Sequence, residues 1–400
     1  MFKNNNIKTL SKMKTYIYII IALLLVASCS KSKEASMSEL ETITIDYEEM
    51  PLLNTDSIIS DIRFIRLETT ENNLVSRIDK IFFINENIVI VDKLGSKSIH
   101  IFNKNGKYVS KVSHLGNGPQ EYLNITDVDI TPSGLIAIKD NYKDILLYYN
   151  MDGEFVKKED VLEGGLDIAF IDDYTIAHEL IKGFNSDTFK GASLCISSNN
   201  KIASLFGKSH NESNEFNHKK TNTLFSYNNI AYFTPSWENY IYELHNNSIS
   251  AKYYIDLKDD VLDYDFTTDE DFHKLANNHN LFNGSFIEMK DYTWLNIISP
   301  IANNPPVIYS HKDKKTYKLS ANISNPLLTY LHMPKALYSE NTIAETASAL
   351  SLYINKSTIY TFLGDCAFTD SLYNGLTLDD NPVVFLFTFK DDISKYVIEQ

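Results

Sequence analysis

An all-β fold built from a repeated four-stranded unit and closed into a ring is what this sequence predicts. Three observations point to it. Short apolar, β-branched and aromatic runs separated by polar turns fill most of the chain. Turn-forming residue pairs recur at one fixed spacing. A strand-like run near the start and another near the end lack neighbours unless the ring closes through them. The composition agrees: of 400 residues, 44% are hydrophobic and 12% aromatic, with 25 Tyr and 22 Phe against 14 Gly and 10 Pro. That balance favours strands and supplies enough apolar material for one large repetitive domain.

The first 28 residues are of another kind. Lys3, Lys8, Lys12 and Lys14 precede the apolar run "YIYIIIALLLVAS", which ends at Cys29. A cationic start, a short apolar stretch and small residues before a cleavage point mark a secretory signal. The run falls short of the roughly 20 residues a spanning helix needs. "VASC", Val26 to Cys29, resembles a bacterial lipobox, in which the cysteine is diacylated and becomes the mature N-terminus. The expectation is a signal in residues 1–28, lipidation at Cys29 and a polar, flexible tether over 29–40. A plain signal with an incidental cysteine is the alternative. Removing the leader takes away four lysines and no acids, so the net charge moves from −15 to −19. Such a charge disfavours nucleic acid as a partner.

From residue 41 onward the elements follow in order. "KIFFIN", "NIVIVD", "SIHIFN" and "KYVSKV", between residues 80 and 112, read as an antiparallel meander. Asn105-Gly106 and Asp152-Gly153 suit the left-handed positions of two-residue hairpins, and they lie 47 residues apart. The same step leads to Asn199-Asn200 and Asn246-Asn247, and each pair is followed two places on by an apolar residue: Tyr108, Phe155, Ile202 and Ile249. A period of 40–50 residues made of four strands is that of a propeller blade. Blades are therefore expected at 78–122, 123–166, 167–221 and 222–260. An acidic insertion follows near 261–285, then a fifth blade from Phe286 to Ser320. The sixth starts near Ala336 and is broken by a second insertion near 345–380. "NPVVFLFTFK", Asn381 to Lys390, and "SDIRFIRLE", Ser60 to Glu68, then pair in the last blade, because an open sheet edge is a liability. The expected fold is a six-bladed β-propeller over residues 41–400, with four-stranded antiparallel blades, closed by its N- and C-terminal strands.

At this point the residues carry a resemblance. "FIRLETTENNLVSRIDKIFFINENIVIVD", "IFNKNGKYVSKVSHLGNGPQEYLNITDVDI", "YIYELHNNSISAKYYIDL" and "DDNPVVFLFTFK" look like the six-bladed β-propeller lipoproteins of Gram-negative bacteria, relatives of NHL-repeat propellers. The most specific parts are "RLETT" and "GNGPQEY", and the likeness spans nearly all of the mature chain. One departure is Gln120, where that family usually has glycine. The resemblance implies the fold, secretion and lipid anchoring. It implies no catalytic residues.

"HLGNGPQEY", His114 to Tyr122, must carry the chain from the outer edge of the first blade back to the axis. Gly116, Gly118 and Pro119 are punctuation for such a path. Glu121 is placed to accept loop N–H groups, and Tyr122 to fill the gap between blades. The rival reading is a ligand-facing loop. A phosphate loop is excluded by the absence of GxxxxGK[ST] and of a following helix. The ten histidines show no HxH or HExxH spacing, so neither a metal nor another cofactor is expected. No GxSxG elbow offers a nucleophile. Of the cysteines beyond Cys29, Cys195 lies in the strand-like "SLCIS" and Cys366 in the second insertion. Whether they pair is not readable from sequence.

Loops between second and third strands crowd one face: "DKLGSKS", "KDNYKDI", "TPSWENY" and "SPIANNPP". Trp237 and Tyr142 sit in two of them as candidate contacts for a peptide or glycan. Trp237 packed between blades is an equal alternative, and Trp294 in "YTWLN" reads as core. Asp92 and Asp140 each end a second strand, where they either line the channel mouth or cap turns. The favoured function is a non-catalytic ligand- or partner-binding module of the cell envelope, anchored by lipid, with the outer membrane the expected location. The alternatives are a metal-dependent lyase or lactonase-type propeller and a structural subunit of an envelope assembly.

Overall fold

The computed structural model describes residues 40–161, 165–180, 188–189, 191–207, 223–227, 229–235, 238–258, 268–300, 306–331 and 334–398. The leader with Cys29, most of the tether, and Trp237 lie outside the described residues.

Three strands come first: β1 (Glu41–Thr44), β2 (Leu52–Leu53) and β3 (Ile59–Arg66). Blade 1 follows with β4 (Lys80–Ile84), β5 (Asn87–Asp92), β6 (Ser98–Asn103) and β7 (Tyr108–Val112). Blade 2 holds β8 (Asp127–Ile130), β9 (Ile136–Asp140), β10 (Ile145–Tyr149) and β11 (Phe155–Asp160). Blade 3 holds β12 (Gly165–Asp172), β13 (Thr175–Leu180), β14 (Leu194–Ser198) and β15 (Lys201–Phe206). Blade 4 holds β16 (Leu224–Tyr227), β17 (Ile230–Phe233), β18 (Tyr240–His245) and β19 (Ser248–Asp256). Blade 5 holds β20 (Leu281–Glu288), β21 (Tyr292–Ile298), β22 (Val307–Ser310) and β23 (Lys315–Leu319). Blade 6 holds β24 (Ala336–Ser339), β25 (Thr342–Ala347) and β26 (Val383–Phe389), with β3 as its outer strand. The fold is the expected six-bladed propeller.

Ring closure is the antiparallel pairing of β3 with β26, from Arg66↔Val383 to Asp61↔Thr388. The segment before β3 does more than lead into the ring. β1 adds to blade 4 as a fifth strand, parallel to β19, and β2 adds to blade 5 parallel to β23. The N-terminal segment is thus a strap outside blades 4 and 5 that ends inside blade 6. It covers two outer edges that would otherwise expose unpaired N–H and C=O groups. The sequence reading missed it, because β1 and β2 are too short for alternation to show.

The core lies in the seams between blades. Val89, Val91, Ile99 and Ile101 of blade 1 meet Tyr122, Val128, Ile136 and Ile138 of blade 2. Trp294 is fully buried among Ile308, Phe387 and Phe389 in the seam of blades 5 and 6. Cys195 is buried in β14, and both it and Cys366 are free thiols.

The 47-residue step marks the turn from third to fourth strand in blades 1–4, but the turns are not all alike. At Asn105-Gly106 and Asp152-Gly153 the loop has an extra residue, and only the glycines take positive φ, 79° and 80°. Each turn is followed by a register shift in the ladder. This is the three-residue hairpin with a bulge. The side chains of Asn103 and Asn150, also 47 apart, accept the N–H groups of Asn105 and Lys107 and of Asp152 and Glu154. Asn199-Asn200 is the expected two-residue turn, with φ of 48° and 59°.

The first insertion contains a helix, Asp269–Ala276, and blade 5 begins at Leu281, five residues before the expected Phe286. The second is three short helices between β25 and β26: Ala349–Ile354, Lys356–Leu363 and Ala367–Tyr373. Ser348 caps the first of them by accepting the Ser351 N–H at 3.1 Å. Leu352, Ile359 and Leu372 hold the trio on blade 6.

Candidate functional site: the axial channel

In a propeller blade the first strand lines the axis and is an edge, so its channel-side N–H groups need partners from elsewhere. Blades 2–4 solve this with acids. Asp127 and Asp129 alternate on β8 and so share a face. Asp127 accepts the Ile168 N–H at 3.0 Å, and Asp129 accepts the Phe170 N–H at 2.8 Å. Asp167 on β12 accepts the Thr223 N–H at 2.6 Å. Each carboxylate therefore stitches its blade to the next.

Lysines complete the polar side. Lys80 of β4 donates to both oxygens of Asp127, at 2.7 and 2.9 Å, and Lys93 approaches Asp127 at 3.4 Å. Burial works to raise the Asp127 pKa, but Lys80 and Lys93 overcome it and hold the carboxyl below the ordinary aspartate value. Among the described residues no lysine lies within ion-pair distance of Asp129, and burial pushes it up to about 7. Burial and the charge of Asp127 raise Asp167 as well. Lys139 of β9 is fully buried, and its Nζ has no hydrogen-bond partner. Burial pulls that ammonium down to about 8.

Lys80, Lys93, Asp129 and Asp167 border a cavity of about 890 Å³ along the axis, lined by the first strands of all six blades. Aromatic residues line it all round, but its charged residues, Lys335 excepted, come from blades 1–3. Lys80, Lys93, Asp129, Asp167 and Glu179 come from blades 1–3. From blades 4–6 come Phe225, Tyr227, Phe286, Leu337 and Tyr338. Phe225 and Tyr227 both meet Phe286 edge-on, at 5.4 and 5.5 Å between centroids. The Tyr227 hydroxyl is tied to the Phe286 carbonyl at 2.7 Å. Among the described residues no group of three or more His, Cys, Asp or Glu is arranged to hold a metal ion.

The residues singled out from sequence lie elsewhere. Asp92 is fully buried; it accepts the N–H groups of Ser76, Arg77 and Gly95 at 2.9, 3.2 and 2.8 Å. Asp140, the equivalent residue of blade 2, accepts those of Leu123 and Tyr142 at 2.7 and 2.9 Å. Both tie a second-to-third strand loop to the incoming inter-blade linker, and neither is among the residues lining the channel. Tyr142 is 77% exposed.

The loop from Gly116 to Tyr122 runs between β7 and β8. Glu121 accepts the Gly118 N–H at 2.7 Å. Lys143 donates to the carbonyls of Gly116, Gly118 and Glu121 at 3.0, 3.3 and 2.8 Å. The Tyr149 hydroxyl takes the Gln120 carbonyl at 2.7 Å. Tyr122 is fully buried in the seam of blades 1 and 2, with its hydroxyl on the Lys97 carbonyl at 2.8 Å.

The channel residues were missed in the sequence because "DVDI" and "LDI" look like ordinary strand-edge acids. The available signal was acids alternating into an otherwise apolar strand, which places charge on a face the strand buries.

The chain resembles several solved structures. A protein from Bacteroides fragilis described as exported is 16% identical over 88% of this chain and 99% of its own, with a TM-score of 0.72. A DUF4221 family member from Bacteroides vulgatus is 12% identical over 83% and 97%, at TM-score 0.47. Virginiamycin B lyase from Staphylococcus aureus is 12% identical over 71% and 84%, at TM-score 0.35. The first supports the fold; the other two superpose too loosely to bear on this chain's chemistry. None of the curated proteins matches the sequence. The profile of a domain of unknown function, DUF4934, matches residues 40–388, which is nearly the whole propeller, and the chain belongs to that family.

Proposed function

We propose that this chain is an exported, lipid-anchored binding protein of the cell envelope that binds through its channel: the axis takes a small ligand or a peptide side chain and does not turn it over. The observation that carries this reading is the mixed wall of the 890 Å³ cavity: its charged residues, Lys335 excepted, belong to blades 1–3, aromatic residues line it all round, and both of its tyrosines stand on blades 4–6. A concave site with an apolar side and a few convergent polar groups is the usual form of a small-molecule pocket. A neutral glycan ring or a peptide side chain fits such a wall, with one face on the aromatics and its polar atoms toward Lys80 and Asp129. The binding reading is favoured over the lyase because the acids on the axis are already engaged by backbone N–H groups and lysines. Export and anchoring rest on the "VASC" leader, and the B. fragilis protein of the same fold is described as exported.

Ser226 lines the channel and is exposed to it, so Ser226→Trp fills the cavity without entering a seam. A glycan and peptide library is to be screened by thermal shift against both forms. Ligands that stabilise the wild type and lose at least tenfold in affinity for Ser226→Trp support the channel. Ligands that bind both forms equally overturn it.

A further inference from the structure

In each antiparallel blade the second-to-third strand loop and the linker to the next blade emerge on the same side, and the other two loops emerge on the opposite side. Sixteen large apolar side chains are exposed among the described residues. Ten of them project from the first of these faces: three from inter-blade linkers, one each from the loops of blades 1 and 2, and five from the insertion of blade 6. Two, Tyr174 and Ile230, lie on the opposite face, and the remaining four lie on the outer rim. Single exposed apolar residues are ordinary, but a one-sided concentration marks an interaction surface.

The densest part is the helical insertion. Leu350, Tyr353 and Ile354, 53%, 57% and 67% exposed, stand at i, i+3 and i+4 of one helix. Ala349 and Leu352 of that helix point into the core instead. Its apolar stripe therefore faces solvent, the reverse of what a surface helix normally does. Phe362, 49% exposed, extends the patch on the next helix. On the same face stand Leu94 of the neighbouring blade 1 and Tyr142 of blade 2, 64% and 77% exposed.

We infer that this face docks a protein partner whose contact surface combines apolar side chains with net positive charge. Its charge selects among occupants. At −15 the chain repels a second copy of itself and an anionic bilayer, and attracts a basic surface. Leu, Tyr, Phe and Ile set among polar loops also match a protein interface, with aromatic anchors inside a polar rim. Nothing in this inference depends on the channel being occupied.

The probe is a synthetic helical peptide of Leu and Lys, compared with its Leu–Glu counterpart, titrated into the full chain at physiological salt. The variant is Tyr353→Ser/Ile354→Ser/Phe362→Ser, which alters exposed positions only and keeps every charge. The Leu–Lys peptide is expected to bind the wild type at least tenfold more tightly than the Leu–Glu peptide. The triple variant, melting as the wild type does, is expected to lose that binding at least tenfold. Equal binding of the Leu–Lys peptide by the variant overturns the inference, as does equal binding of both peptides by the wild type. Sedimentation of a wild-type dimer that the variant abolishes would assign the face to self-association. Flotation with phosphatidylcholine vesicles that the variant abolishes would assign it to lipid. Either result overturns a basic protein partner.

Discussion

Glu121 explains the two glycines beside it. A Cβ on Gly116 would lie 2.2 Å from Glu121 Oε2, and one on Gly118 would lie 2.9 Å from its Cδ. Neither glycine has positive φ, so what they supply is room for the carboxylate and not an unusual backbone angle. Gly118→Val should therefore cost about 1–3 kcal/mol through overpacking, read as a fall in the denaturation midpoint; an unchanged midpoint would remove the joint from the stability account. Lys139 poses the opposite problem, a buried ammonium without a partner. Replacing such a group with an apolar one of similar length is neutral or stabilising. Lys139→Met should hold or raise the melting temperature at pH 7, and a marked fall would show that the ammonium has a stabilising role. Asp129 adds a pH signature. Its folded pKa, about 7, lies above the ordinary 3.8, so between those values the folded state keeps a proton that the unfolded state has lost. Its contribution is whole below about pH 4 and is lost as pH rises through about 7. Asp127 has the opposite sign, because its pKa is lowered, but its window lies below 3.8. Asp129→Asn should thus gain in stability relative to wild type from pH 4 to 7.5, whereas a flat difference would contradict a raised pKa.

Among the elements, β26 has the largest structural burden. It pairs with β25 on one side and β3 on the other, and Val383, Phe385 and Phe387 are buried in the seam of blades 5 and 6. Deleting residues 381–400 removes an interior strand and leaves β3 without a sheet. The expected result is loss of a single cooperative melt, since ring closure protects every blade from presenting an edge. A truncated chain that melts as sharply and as high as the whole would defeat the closure account. A continuous apolar run in β26, and apolar residues set between charged ones in β3, made these strands visible in the sequence. β1 and β2, four and two residues long, have no such signature, and only their pairing with β19 and β23 makes them strands.

The whole molecule separates a rigid ring from the surfaces it presents. The channel is built by first strands, whose acids face the axis because the next blade's N–H groups require them there. The apolar face is built by loops and by the helical insertion, which no ladder constrains. The proposed anchor belongs to the leader and can be tested separately from both. Cys29→Ser should move the protein from the membrane fraction to the soluble one without changing its melting temperature, and unchanged membrane retention would refute lipidation. If the proposed roles of channel and face are both right, Ser226→Trp and the triple helix variant should each abolish one activity and spare the other.

Blade number and ring closure were readable from the residues, because they depend on local chemistry: apolar runs along a strand, and Asn and Gly at turns. The strap, the mixed channel wall and the one-sided apolar face depend on residues far apart in the chain. Asp129 and Phe225 are ordinary strand residues until ring geometry sets them on the wall of one cavity. Tyr353 and Ile354 look like any helical stripe until the fold leaves that stripe uncovered. Local preferences specify which elements form; which side chains share a surface is settled only when the ring brings the blades together, because that adjacency is created by packing and has no counterpart in sequence spacing.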